Sequence, residues 1–78
     1  MATLELFGTK SCPYTQEMRE WLEFKGMEFV EYDVEHDLAA RDLLLSLANG
    51  QRTVPILVED GKVVQVGWQG HGCIISVE

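Results

Sequence analysis

The sequence is poor in cysteine and in basic residues and has no long apolar run, and each scarcity excludes a class of protein. Two cysteines in 78 residues allow one disulfide at most, and neither lies in a loop-rich scaffold that needs such a bridge. Six basic residues against 13 acidic ones give a net charge of −7, which opposes binding to nucleic-acid phosphates. No apolar stretch is long enough to span a bilayer, and no basic segment followed by an apolar one opens the sequence. We therefore expect no nucleic-acid or membrane partner, and a location in the cytoplasm.

The remaining composition is that of a single small globular domain. Apolar residues make up 46% of the chain and charged residues 24%, which is enough to bury a core. We expect residues 1–78 to form one domain, and we expect a monomer. Cys12, His36, His71 and Cys73 lack the paired close spacings of a structural zinc site. We therefore expect no metal bound by protein ligands alone.

Apolar periodicity predicts six elements in the order βαβαββ. Alternating residues predict strands at 3–7, 28–34, 53–58 and 62–66. Pro13 suits the first turn of a helix that ends near Gly26, and Asp37 can cap a second helix that ends at Asn49-Gly50. Asp60-Gly61 is a strong hairpin signal, so we expect the last two strands to pair.

The C-terminal segment 67–78 has conflicting preferences. Its three glycines, Gly67, Gly70 and Gly72, disfavour a helix, whereas the β-branched residues that follow favour extension; these are Ile74, Ile75 and Val77. We expect a short helix or a turn there.

Cys12 lies between the first strand and the first helix. Free N–H groups and the positive end of the helix dipole stabilise an anion at that point. A free cysteine has a pKa of about 8.5, and a helix N-terminus lowers it toward neutrality. Lys10, two residues earlier, adds positive charge. The sequence therefore predicts a nucleophilic thiolate rather than a small buried side chain.

The run Cys12-Pro13-Tyr14 resembles the active-site motif of the glutaredoxin family. Arg52-Thr53-Val54-Pro55 is similar to that family's Thr-Val-Pro segment, whose proline is cis and whose neighbours pair with the backbone of bound glutathione. The resemblance extends over most of the chain. It implies an α/β thioredoxin-like fold, in which a four-stranded mixed sheet is flanked by helices.

The resemblance also implies a substrate groove that holds glutathione. Its expected lining is Lys10, Tyr14, Thr15, Arg52, Val54, Pro55, Gly67 and Trp68. Two features depart from the family pattern, because Thr9 stands where a lysine is usual and Gly67-Trp68 replaces a Gly-Gly pair. A glycine followed by an aromatic is similar to the glutaredoxin-like electron donors of ribonucleotide reductase, which thioredoxin reductase reduces. The source of electrons is therefore left open, and Trp68 can belong either to the groove or to the core.

Thr15 occupies the position of the family's usual second cysteine, so the motif itself cannot form a disulfide. Its hydroxyl can instead donate a hydrogen bond to the Cys12 thiolate. Cys73 is the only candidate partner for Cys12, and its alternative role is that of a spectator in the final apolar stretch. His71 can act as a base for Cys73 or be an exposed loop histidine.

The leading functional prediction is a thiol–disulfide oxidoreductase that uses glutathione as its reductant. Cys12 attacks the glutathione sulfur of a mixed disulfide, and either free glutathione or Cys73 then releases it. The expected partners are glutathione and proteins that are glutathionylated or carry disulfides. One alternative is a disulfide donor linked to thioredoxin reductase. Another is a module that binds an iron–sulfur cluster with glutathione, although the Cys-Gly-Phe-Ser motif usual for that role is absent.

Overall fold

The chain folds into a mixed β-sheet with one helix on each face. The computed structural model describes residues 3–50 and 52–75. Its elements, in chain order, are β1 (Leu4–Gly8), α1 (Pro13–Phe24), β2 (Val30–Asp33), α2 (Leu38–Leu47), β3 (Thr53–Val54), β4 (Ile56–Glu59), β5 (Lys62–Val66) and β6 (Cys73–Ile74). Within these residues, neither helix is long and apolar enough to cross a membrane.

The main sheet has the strand order β2-β1-β4-β5. β1 runs parallel to β2, which it reaches through α1, and antiparallel to β4. β4 and β5 form an antiparallel hairpin whose turn residues Asp60 and Gly61 both have positive φ, at 51° and 81°. The predicted hairpin and the predicted four-stranded mixed sheet are both confirmed.

Alternation along β1 divides the core between the two faces of the sheet. Leu4 and Leu6 pack on one face with Met18 and Leu22 of α1. Phe7 points to the other face, where it lies in one cluster with residues of α2, β3 and β4; the buried members include Ala40, Leu44, Val54, Ile56 and Val58. Asp37 caps α2 as predicted, because its side chain accepts a hydrogen bond from the Ala40 N–H at 3.1 Å. Each helix is therefore fixed by its own apolar stripe.

The structure differs from the sequence prediction at two places. The predicted strand 53–58 is divided at Pro55, which has no N–H to donate to a ladder, into β3 and β4. The Val54–Pro55 peptide bond is cis, as predicted. The C-terminal segment contains a turn at Gln69 and Gly70, which agrees with one of the two predicted alternatives. The other alternative, a short helix, does not form among the described residues, and the short strand β6 follows the turn instead. Val77 lies outside the described residues.

Candidate active site

Cys12 is the N-cap residue of α1. Its backbone is extended, with φ −87° and ψ 116°, and Pro13 begins the helix behind it. The Cys12 carbonyl accepts a hydrogen bond from the Gln16 N–H at 3.2 Å, which is the first bond of the helix. The side chain points inward, because only 1% of Cys12 is exposed. Local sequence thus fixes this cysteine at the positive end of the helix dipole.

Cys12 and Cys73 form a disulfide that closes 61 residues of chain. Their Cα atoms are 6.0 Å apart, inside the range of about 4.4 to 6.8 Å for such bonds. The structure therefore brings together the two cysteines that the sequence left as possible partners. The structure describes the oxidised form of the pair.

Strand β6 places Cys73 beside Cys12 by pairing with β3. Cys73 lies opposite Val54 and Ile74 lies opposite Thr53 in this antiparallel pair. The Ile75 N–H continues the pairing with a 2.9 Å hydrogen bond to the Arg52 carbonyl, and the Ile75 side chain is buried in the core. Cys12 Sγ lies 3.9 Å from the Val54 carbonyl oxygen. The backbone of Val54, just before Pro55, therefore lies next to both cysteines.

Gly72 allows β6 to approach β3 this closely. A Cβ atom at position 72 would lie 2.7 Å from the Val54 carbonyl oxygen and 2.7 Å from Thr53 Cγ2. Both distances are far below an ordinary van der Waals contact, so a larger residue would push the strand outward. In the sequence, Gly72 stands out only as one of three glycines in segment 67–78 that disfavour a helix. The only signal for this close approach is its position directly before the cysteine.

Gly67 and Trp68 connect β5 to the tail. Gly67 has a φ of +78°, and a Cβ there would lie 2.6 Å from the His71 carbonyl oxygen. The Gly67 N–H donates to the Pro55 carbonyl at 2.7 Å. Trp68 is half-buried against Trp21, with ring centroids 5.6 Å apart, and packs on the α1 side of the sheet. Trp68 therefore packs against the core, which is one of its two predicted roles. Its other predicted role, lining the substrate groove, stays a prediction.

Tyr14 and His71 lie together at the surface near the disulfide. Their rings stack with centroids 5.3 Å apart and planes inclined by 16°. His71 is exposed and Tyr14 is half-buried. The contact ties the start of α1 to the turn that precedes β6. Lys10 and Arg52, the two cations predicted for the groove, are both exposed.

Thr15 lies in the first turn of α1, packed against Gly8. The residue is only 1% exposed, and its Oγ1 atom is buried without a hydrogen-bond partner among the described residues. The predicted bond from this hydroxyl to Cys12 is absent from the oxidised form. A disulfide sulfur is a weak acceptor, whereas a thiolate is a strong one. The bond therefore stays a prediction for the reduced protein.

A groove of about 310 Å³ adjoins Cys73. Its lining comprises Thr9, Ser11, Val34, Glu35, His36, Arg41, Cys73, Ile74 and Ile75. A hydrogen bond from His36 holds the pKa of Asp33 below its usual range, and this pair fixes the loop that forms one wall. Arg41 also lines the groove, and its Nε atom is buried without a hydrogen-bond partner among the described residues. No sequence signal identified this groove, because its walls come from distant segments.

The fold and the site together define a class of protein. A βαβ unit carries a cysteine at the N-terminus of its helix, and a cis-proline segment lies beside that cysteine. This arrangement is that of a thioredoxin-like fold with a redox-capable cysteine pair. Among residues 3–50 and 52–75, no cluster of three His, Cys, Asp or Glu side chains is arranged to hold a metal ion.

Comparison with known proteins identifies the family within that class. The family model described as Glutaredoxin matches residues 4–64. The chain therefore belongs to the glutaredoxin family, as its sequence motifs implied, and it has the family's thioredoxin-like fold. Membership indicates a thiol–disulfide oxidoreductase.

Individual relatives agree with this assignment. A probable glutaredoxin of Synechocystis sp. is 35% identical over 60 residues, which cover 76% of this chain and 68% of that protein. The crystal structure of the thioredoxin-like protein BC3987 superposes with a TM-score of 0.74 at 33% identity, covering 85% of this chain and 88% of that one. A buckwheat glutaredoxin–glutathione complex has a TM-score of 0.67 at 25% identity, covering 82% of this chain and 59% of that one.

Proposed function

We propose that this protein reduces disulfides, including mixed disulfides with glutathione, by cycling Cys12 and Cys73 between dithiol and disulfide. The Cys12 thiolate attacks the glutathione sulfur of a glutathionylated substrate and expels the substrate thiolate. The Cys73 thiolate then attacks Cys12 Sγ, expels glutathione and leaves the Cys12–Cys73 disulfide. The two electrons that reduce the substrate thus come from the cysteine pair.

The Cys12–Cys73 disulfide is the observation that carries this proposal. Residue 15, which would hold the second cysteine of the family's motif, is a threonine. A partner 61 residues away is held opposite Val54 by backbone pairing. A spectator cysteine would need no such placement.

We infer that glutathione and β6 compete for the backbone of Val54. A glutaredoxin from buckwheat is known in complex with glutathione, and the family resemblance assigns Val54 and its neighbours to glutathione pairing. In the oxidised form β6 occupies that backbone, and Cys12 is buried beneath it. The tail must therefore withdraw before a substrate reaches Cys12. Its return both delivers Cys73 and displaces glutathione from the same edge.

A variant at Gly72 tests the role of β6 pairing. Gly72→Ala is expected to slow formation of the internal disulfide several-fold and to lengthen the life of the glutathione adduct, because the new methyl group collides with Val54 and Thr53. The rate is measured by mass spectrometry of acid-quenched samples after glutathione disulfide is added. Ile74→Ala is the matched control, since that side chain is 72% exposed. Equal rates in Gly72→Ala and wild type would show that close β6 pairing is not needed.

A coupled assay tests the activity and its source of electrons. Reduction of a glutathionylated peptide is followed by NADPH consumption, with either glutathione and glutathione reductase or thioredoxin and thioredoxin reductase. We expect turnover with the glutathione system. Turnover with the thioredoxin system alone would reassign the electron donor. Absence of turnover with both systems would contradict the proposed function.

The iron–sulfur alternative receives no support from this site. Cluster ligation needs Cys12 as a free thiolate, which the proposed cycle provides only in the reduced form, and the Cys-Gly-Phe-Ser motif usual for that role is absent from the sequence. The visible absorption spectrum of anaerobically purified protein distinguishes the two functions. The proposed redox cycle predicts a spectrum without cluster bands.

A further inference from the structure

Strand β6 holds Cys73 where the cysteine of a protein substrate must also lie. When the proposed cycle acts on a protein disulfide, Cys12 bonds first to a cysteine of the substrate and later to Cys73. Both partners must satisfy the same disulfide geometry, and the Val54 carbonyl is the strand edge beside Cys12. Cys73 meets that geometry by lying opposite Val54, with its Cα atom 6.0 Å from that of Cys12. The residues around Cys73 therefore indicate which substrate segment fits the same edge.

The position before the cysteine has room only for glycine in this pairing. A Cβ atom at Gly72 would lie 2.7 Å from the Val54 carbonyl oxygen and 2.7 Å from Thr53 Cγ2. The first of these atoms belongs to the backbone, so it cannot turn away as the end of a flexible side chain can. Gly72 does not have a positive φ. The close approach of the two strands, and not a special backbone conformation, is what requires glycine there.

The two positions after the cysteine differ from each other. Ile74 is 72% exposed, so its side chain contributes little to docking. Ile75 is 5% exposed and lies in the same core cluster as Val34 and Leu44, and its N–H donates to the Arg52 carbonyl at 2.9 Å. Withdrawal of the tail removes this side chain from the core. An apolar residue two positions after a substrate cysteine can then take its place.

We propose that the protein substrates of this chain are extended segments with the pattern Gly-Cys-X-Φ, in which X faces solvent and Φ is Ile, Val or Leu. Such a segment pairs with residues 52–54 in place of β6. The Cys12 thiolate attacks the segment's cysteine, which is part of a disulfide, and expels the other cysteine of that disulfide as a thiolate. β6 then displaces the segment, and the Cys73 thiolate attacks Cys12 Sγ and expels the segment's cysteine as a thiolate. This inference rests on the proposed redox cycle, whose cysteine pair supplies both electrons, and it specifies the sequence of the substrate.

Symmetric disulfides of short peptides test this pattern, because each offers the same sequence at either sulfur. Three peptides contain Gly-Cys-Ile-Ile, Val-Cys-Ile-Ile or Gly-Cys-Ile-Ser. A fourth, Gly-Cys-Ser-Ile, is the matched control, since it changes only the position that faces solvent. Reduced wild-type protein is mixed with each peptide disulfide, and loss of the dithiol form is followed by acid quenching, alkylation and mass spectrometry. Each rate is divided by the rate of reduced glutathione with the same peptide, which corrects for intrinsic reactivity.

We expect Gly-Cys-Ile-Ile and Gly-Cys-Ser-Ile to react at similar rates and the other two peptides to react several-fold more slowly. The added valine side chain collides with the Val54 carbonyl, and the final serine does not replace Ile75 in the core. Equal rates for all four would overturn the pattern and leave the redox cycle intact. The same holds if no peptide reacts while glutathione disulfide still forms the Cys12–Cys73 disulfide. If no reagent forms that disulfide, both proposals fail.

Cys73→Ser protein provides an equilibrium measurement that does not involve the second step of the cycle. The variant is equilibrated with equal concentrations of glutathione and one peptide thiol, with the disulfides of both in excess over protein. The ratio of peptide adduct to glutathione adduct on Cys12 should be about tenfold or more higher for Gly-Cys-Ile-Ile than for Gly-Cys-Ile-Ser, because an isoleucine side chain is buried. The same mixtures in denaturant are the control, and there the ratios should be similar. Ratios equally similar in the folded protein would contradict pairing of the substrate with β3.

Discussion

Cys73→Ser protein treated with glutathione disulfide is expected to retain one glutathione on Cys12, whereas wild-type protein is expected to lose the adduct and form an internal disulfide. Only Cys73 is placed to attack the adduct from within the chain, since its strand pairs with Val54 and its Cα lies 6.0 Å from that of Cys12. A serine hydroxyl cannot replace it, because it forms no disulfide. Peptide mass mapping locates the adduct in both proteins.

The difference between the two proteins should be nearly complete at equilibrium. Attack within one chain benefits from a high effective concentration, and free glutathione must compete with it from solution. Accumulation of a stable adduct on wild-type Cys12 would mean that Cys73 is a bystander. Cys12 would then work by a purely monothiol route.

Cys12→Ser is expected to abolish turnover in the coupled assay. Cys12 is the cysteine at the helix N-terminus, and a serine hydroxyl is not ionised there at neutral pH. Cys73→Ser is the matched control, because both variants lose the same cross-link. For a loop of 61 residues, the chain-entropy estimate of that loss is about 4 kcal/mol.

The two variants thus separate chemistry from stability. We expect Cys73→Ser to keep measurable turnover at high glutathione, since free glutathione can release the adduct on Cys12. Circular dichroism and denaturant titration should give similar folds and similar free energies of unfolding for the two variants. Turnover in Cys12→Ser would contradict the assignment of Cys12 as the nucleophile. Loss of turnover in both variants would instead show that free glutathione cannot replace Cys73 in releasing the adduct.

Local sequence signals predicted most of the fold. Pro13 at the start of α1 and Asp37 at the N-cap of α2 act within one turn of chain, so their effect is visible without tertiary structure. The Asp60-Gly61 pair likewise determines its hairpin. The alternating apolar residues of β1 predicted a strand, whereas helices flanking the sheet were what the family resemblance implied.

The tail could not be predicted in the same way. β6 is two residues long and has no partner nearby in sequence, so its existence depends on an edge offered by Thr53 and Val54. Gly72 disfavours a strand by intrinsic preference, yet its missing side chain is what lets the strand dock. A disulfide partnership across 61 residues is a property of the folded chain and not of local spacing.

The direct test of the redox pair is a titration of wild-type protein at defined ratios of glutathione to glutathione disulfide. Samples are quenched in acid and alkylated, and their masses are measured by mass spectrometry of the intact protein. The proposed redox cycle predicts two main species, a dithiol with two alkyl groups and an internal disulfide with none, whose ratio follows the redox buffer. A dominant species with one glutathione and one alkyl group across the titration would contradict it.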